Sequence, residues 1–221
     1  MKDIVISAKD AAERLIPQSA YVSCNVAFID CKTPGSHLKE NYSMIGPGVT
    51  SSADQVINLA EPHGFNVGAA AMPTGITNNL HIHFTAEVFA VFEGDWKFRW
   101  GPNGDDGEFI GQAGDLVSVP TWIFRGFTNV GKGNGWGFTV LGGDDTGGII
   151  WHPSIINGAA QYGLYLDKQN RLADTTKGDP VPAKDDLITP LSDAEIAKLR
   201  RYTPEEMAKN VVTRAERVFS K

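Results

Sequence analysis

No run of about 18 apolar residues occurs in this chain, so nothing in it reads as a membrane-spanning helix. The first residues soon meet the charges of Lys9-Asp10 and Glu13-Arg14, which leaves no apolar stretch of signal-peptide length, and a cytoplasmic location with no membrane partner is expected. Basic residues are in the minority. Twenty lysines and arginines stand against 26 acidic residues, for a net charge of −6. They gather into no cluster of the kind a phosphate backbone requires, which argues against nucleic acid as a partner. Cysteine is scarce: Cys24 and Cys31 are seven apart, match no Cys-x-x-Cys spacing and make no disulfide framework. They read as buried small hydrophobes, on opposite faces if their segment is one strand. With 42% hydrophobic and 21% charged residues the composition is far from that of disorder, so the chain is expected to fold without a partner. Neither an internal repeat nor a low-complexity tract is present. A length of 221 residues fits one domain with extensions.

The patterning divides the chain into three. Ser7 is a helix N-cap ahead of Ala11, Ala12, Leu15 and Ile16 at helical spacing, and Pro17 ends the run. From about residue 20 to 150, short stretches rich in Val, Ile, Phe and Trp are broken by Gly, Asn, Asp and Pro, the signature of a sandwich or barrel. Trp96, Phe98 and Trp100 alternate with Lys97 and Arg99, and Trp136, Phe138 and Val140 with Gly137, Thr139 and Leu141, as half-buried strands do. The turn formers from Gly101 to Gly107 predict a hairpin loop. After a proline-punctuated arm over roughly 168–190, Ser192 to Glu195 and Thr203 to Glu206 each form a capping box, predicting two closing helices. In the second, Met207, Val211, Ala215 and Val218 share one face. The expected divisions are an N-terminal extension over 1–60, a barrel over 61–152, and a C-terminal arm with helices over 153–221.

Chemistry concentrates in the segment from Gly75 to Gly94. His81 and His83 are one residue apart and Glu87 lies four further on, so all three share parity. On an extended strand both imidazoles point to one face, and the carboxylate returns to it if the chain stays extended or turns into the adjacent strand. A single strand histidine is more often a satisfied core or surface residue. Three such groups on one interior face, however, are costly to bury unless paired, hydrogen-bonded or metal-bound. Two imidazoles and one carboxylate make the facial triad that leaves positions on a metal open.

The spacing of Gly75, five residues, His81-x-His83, three residues, Glu87, six residues, Gly94 resembles the first motif of the cupin superfamily. The run from Gly114 through Pro120 to Asn129 resembles the second, with Trp122 where that motif has glycine and Arg125 where it has histidine. The resemblance covers about residues 70–145. It implies an all-β cupin jelly-roll β-barrel, here with a short N-terminal helix and C-terminal helices. It also implies a divalent metal on His81, His83 and Glu87. Arginine cannot supply the family's further ligand, because its guanidinium stays protonated and has no lone pair. Either three ligands hold the metal, or it is gone and Arg125 pairs with Glu87; His63 and His152 are the candidates for a replacement ligand.

A guanidinium beside an open metal position suits a carboxylate, enolate or phenolate, so Arg125 is the expected substrate contact. Iron(II) is favoured by the donor set, with manganese, nickel or zinc as alternatives. The expected function is a metal-dependent dioxygenase acting on a small anionic organic substrate. The alternatives are a non-redox lyase, isomerase or decarboxylase using the ion as a Lewis acid, and a metal-free ligand-binding or regulatory cupin. A homodimer is expected, because β-rich stretches such as Tyr21 to Ile29 need their edges covered. The aromatic residues Trp96, Phe98, Trp100, Trp122, Phe124 and Phe127 read first as core, and Asp144-Asp145 as part of a glycine-rich turn.

Overall fold

The computed structural model describes residues 5–199. Eight strands make the body: β3 (Phe65–Met72), β4 (Thr77–His83), β5 (Glu87–Glu93), β6 (Trp96–Trp100), β7 (Gly107–Gly111), β8 (Leu116–Val119), β9 (Arg125–Asn129) and β10 (Gly135–Gly142). They pair antiparallel from the outside inward: β3 with β10, β4 with β9, β5 with β8, β6 with β7. This is one long hairpin wound upon itself. Lateral pairing of β5 with β10 and β6 with β9 then closes two facing sheets, an all-β jelly roll.

Upstream strands β1 (Glu40–Ile45) and β2 (Ile57–Leu59) extend the first sheet to the order β2-β1-β3-β10-β5-β8. Downstream β11 (Ile149–Trp151) extends the second to β11-β4-β9-β6-β7. A small hairpin of β12 (Leu164–Leu166) and β13 (Leu172–Asp174) follows α2 (Pro153–Ala159).

Strand alternation decides what fills the interior. Trp96, Phe98 and Trp100 are buried and Lys97 and Arg99 half-buried, as their period of two requires. With Phe89, Val91, Val117 and Phe127, Trp96 and Phe98 pack one end of the sandwich, while Trp100 packs with Ile123, and each fully buried side chain of this size contributes about 1.5–3 kcal/mol. Edge-to-face contacts of Phe89 with Phe98 and Phe127, at centroid distances of 5.0 and 4.9 Å, knit the two sheets together. On β10 the large side chains go the other way. Trp136 and Phe138 lie on the outer face, partly covered by Tyr21 and Tyr42, while Thr139 and Leu141 line the interior at the opposite end. That end is therefore not filled by aromatic side chains, and it is where the polar residues gather.

The N-terminal helix α1 (Ala8–Ala12) is capped by the Ser7 hydroxyl, which accepts from the Asp10 N–H at 3.1 Å. It is shorter than its spacing predicts, because Leu15 finds no partner to bury against and is 74% exposed. The stretch from Tyr21 to Ile29, read as strand-like, forms only an isolated bridge between Cys24 and Asn41. Both cysteines are buried and unpaired. The Ser192 capping box is present at α3 (Asp193–Ile196), whose Ile196 packs with Leu191 and Leu199 against Leu80, Ile82 and Phe124. The capping box at Thr203 and the helix predicted after it lie outside the described residues. No described helix is long and apolar enough to cross a membrane.

Candidate metal centre

His81 and His83 close β4, Glu87 opens β5, and the three-residue turn between them returns the carboxylate to the imidazoles' side. Their ligating atoms lie within 4.8 Å of one another, and all three residues are buried. They border an interior cavity of about 70 Å³, walled by Asn41, Ser43, Asn66 and Asn78 on its polar side and by Phe28, Phe127 and Ile149 on its apolar side.

The electrostatics of the cluster follow from its burial. His81 is held well below the usual imidazole range, first by burial and then by the nearby positive charge of Arg125. His83 is depressed by the same two causes and by His81, with the Gly148 carbonyl opposing. Both rings are therefore neutral at neutral pH, the form that binds metals. The carbonyl oxygen of Asn79 can only accept, so its 2.6 Å contact with His81 Nδ1 puts the ring proton on Nδ1 and leaves Nε2 with its lone pair. His83 Nδ1 is buried and makes no hydrogen bond of normal geometry, and its Nε2 lies 3.5 Å from Glu87 Oε2.

Arg125 opens β9 opposite His81 and is 2% exposed. Its guanidinium donates to Glu87 Oε2 from Nη2 at 2.9 Å and from Nε at 3.3 Å, and from Nη1 to the carbonyl of Ile123 at 3.3 Å. Burial pushes the Glu87 carboxyl up and Arg125 pulls it back. The arginine's polar edge is thus spent on the protein itself.

The remaining candidates lie elsewhere. His63 is a half-buried loop residue bonded to the Glu61 carbonyl, and His152 caps α2 through Ser154, so neither joins the cluster. Asn129 faces the far end of the sandwich, where its side-chain amide ties the Met72 and Gly133 carbonyls. Asp144 accepts from the backbone N–H groups of His63 and Gly64 in the loop before β3, and Asp145 from that of Gly147 in its own turn. Trp96, Phe98, Trp100, Phe124 and Phe127 are core, whereas Trp122 is 44% exposed and stands at φ 64°, a conformation that favours glycine. Its ring meets Phe84 edge-on at 5.1 Å. Asn78, Asp30 and Lys39, which surround His81, carried no motif by which sequence reasoning could have found them.

No family model matches the chain, and no curated protein matches it. Among solved structures, it is similar to the polyketide cyclase RemF from Streptomyces resistomycificus, at 13% identity over 61% of this chain and 82% of that one, with a TM-score of 0.46. It is also similar to an oxalate oxidase (20% identity, 57% of this chain and 60% of that one, TM-score 0.44). A third is a cupin-like protein from Thermotoga maritima (12%, 51% and 74%, TM-score 0.41). Two oxalate oxidase structures with glycolate match over 46% and 51% of their own chains, so this chain spans about half their length. These structural neighbours include cupin-family proteins.

Proposed function

We propose that this chain is a cupin that holds a divalent metal on His81, His83 and Glu87 and acts as an enzyme on a small organic anion, with iron(II)-dependent dioxygenation as the reaction. The observation that carries the reading is the cluster itself: two neutral, buried imidazoles and a carboxylate around one cavity, with the buried Nδ1 of His83 making no hydrogen bond of normal geometry. That donor set fits a first-row divalent ion with open positions. Such an ion would supply Lewis acidity toward a bound carbonyl or enolate and, as iron(II), electrons toward dioxygen.

Charge accounting points to an anion. Glu87 and Arg125 cancel and the histidines are neutral, so a dication added to this buried site leaves two uncompensated positive charges, which an anionic ligand must offset. The cavity has room for about five waters at 10–15 Å³ each, which restricts the group that enters to a few non-hydrogen atoms. In this reading Arg125 stands where the cupin pattern has histidine. It acts chiefly through Glu87 and contributes its charge, rather than a free bidentate fork, to anion binding.

The Glu87–Arg125 pair also favours a second reading, a metal-free binding cupin, because it satisfies the carboxylate without a cation. Elemental analysis of freshly purified protein separates the two, and near-stoichiometric metal supports the first. Oxygen uptake with iron(II) and a panel of small organic acids then separates dioxygenation from a lyase, isomerase or decarboxylase reaction. Absence of metal after purification and after reconstitution refutes the metal reading.

A further inference from the structure

Behind the histidines lies a charge pair that plays no part in the proposed ligand set. Asp30 is fully buried and Lys39 is 1% exposed; the two pair with each other, and the ammonium also donates to Asn78 Oδ1 at 2.6 Å. Lys39 Nζ lies 5.4 and 5.6 Å from the ring centroids of Phe28 and Trp151, so an aromatic wall rather than water completes its surroundings. The other carboxylate oxygen, Oδ2, accepts from the Asn79 backbone N–H at 3.2 Å and from its side chain at 3.1 Å.

These contacts converge on an irregularity in β4. Asn78 pairs with Phe127 and His81 with Arg125, so three steps on β4 match two on β9, and one extra residue is accommodated as a bulge. The bulge breaks strand parity. Asn78 and His81, an odd number of residues apart, therefore both border the cavity. Across the ladder, a Cβ on Gly126 would stand 2.9 Å from the Asn78 carbonyl oxygen, so only glycine allows this approach.

Inside the bulge, Asp30 holds the Asn79 peptide on one side while that residue's carbonyl accepts from His81 Nδ1. An ammonium has only donors, so the Asn78 amide must turn its oxygen to Lys39 and its amino group toward His81, 3.3 Å from Nδ1. That amino group would donate to a bare Nδ1 and so favours the opposite tautomer, but the Asn79 carbonyl is closer, at 2.6 Å against 3.3 Å, and takes the ring proton, so the hold of Asp30 on Asn79 decides the tautomer.

We infer that the Asp30–Lys39 pair is a positioning element for His81: it holds the β4 bulge and so selects the Nδ1–H tautomer that leaves Nε2 free to bind a metal. The consequence for metal affinity rests on the proposed metal site, whereas the tautomer does not. The test uses the full chain with labelled histidine and the charge-neutral double substitution Asp30→Asn/Lys39→Met, with Lys32→Met at the separate Lys32–Asp174 pair as a control for general loss of stability. Long-range proton–nitrogen NMR of metal-free protein reads the tautomer, and cobalt(II) titration reads affinity and the visible spectrum. The expected result is a pure Nδ1–H tautomer of His81 in wild type and control. In the double variant, mixed tautomers, an altered cobalt spectrum and about tenfold weaker cobalt binding are expected, in the range seen for groups that orient metal ligands. Gly126→Ala, which displaces the bulge without removing a charge, gives the same readout should the double variant fail to fold. A folded variant that keeps the pure tautomer and the wild-type cobalt affinity overturns the inference. If wild-type protein takes up no cobalt, the metal reading fails separately and the tautomer comparison alone decides.

Discussion

Replacing Arg125 with methionine isolates the charge pair at the centre of the site. Arg125 and Glu87 are 2% and 4% exposed, so water cannot take over the carboxylate when the guanidinium is removed. Breaking a buried pair from one side costs about 3–5 kcal/mol, because the surviving charge is left without compensation. For a chain of this size each kcal/mol is worth about 2–4 °C, which places the expected drop in Tm of Arg125→Met at about 6–20 °C in EDTA. Two further measurements identify the cause. Glu87→Gln combined with Arg125→Met removes both charges and should recover to within about 1 kcal/mol of wild type. Adding a divalent metal to the single variant should also restore stability, by about 2.7 kcal/mol at a hundredfold excess over its Kd, because the ion takes the place of the lost positive charge. Urea unfolding followed by tryptophan fluorescence reports all three values. A loss below about 1 kcal/mol in Arg125→Met, or a double variant as unstable as the single one, would show that Glu87 is held by something other than Arg125.

Burial pushes the Cys31 thiol up to about 11, so it should stay protonated and unreactive at neutral pH. Cys24 is buried as well, so a thiol reagent should find no fast-reacting cysteine in native protein and two after denaturation. Burial would raise Asp174, but hydrogen bonds from Lys32 and Thr176 and the Lys32 charge hold it below its ordinary value. Unfolded protein then binds more protons than folded protein near pH 4, so this contribution is fully present above about pH 4 and is lost as pH falls through the lower folded value. Lys32→Met should lower the unfolding free energy at pH 7 by about 1.5–3 kcal/mol, read from urea unfolding, and flatten its decline toward pH 3; a parallel decline would refute the assignment. We also propose a homodimer, now through the outer face of the first sheet, where Phe92 is 66% exposed beside Phe138. Light scattering should give about twice the 23.9 kDa of one chain, and Phe92→Glu should shift it to the monomer mass.

Much of this protein was legible in local spacing. A two-residue period places His81 and His83 on one face wherever their strand pairs, and the alternation of Trp96, Phe98 and Trp100 declares a strand with one buried side. The turn formers from Gly101 to Gly107 and the Ser192 capping box act within a few residues of themselves, and each forms as read. What depends on partners distant in the chain was decided by tertiary structure. Alternation could not tell which face of β10 is inside; the aromatic face turned outward because neighbouring β5 and the facing strands β6 and β9 supply Phe89, Phe98 and Phe127 to the core and leave polar residues around the cavity. Tyr21 to Ile29 has a strand's composition, yet it makes only one bridge. Arg125 was open to two roles in the sequence, and its bond to Glu87, 38 residues away, exists only because β9 and β5 face each other across the sandwich. Parity itself failed at Asn78, which reaches the cavity through a bulge that Asp30, Lys39 and Gly126 sustain from three separate segments. Local periodicity is a property of the backbone and can be read from one segment, whereas the charge that compensates a buried group comes from wherever the fold brings it.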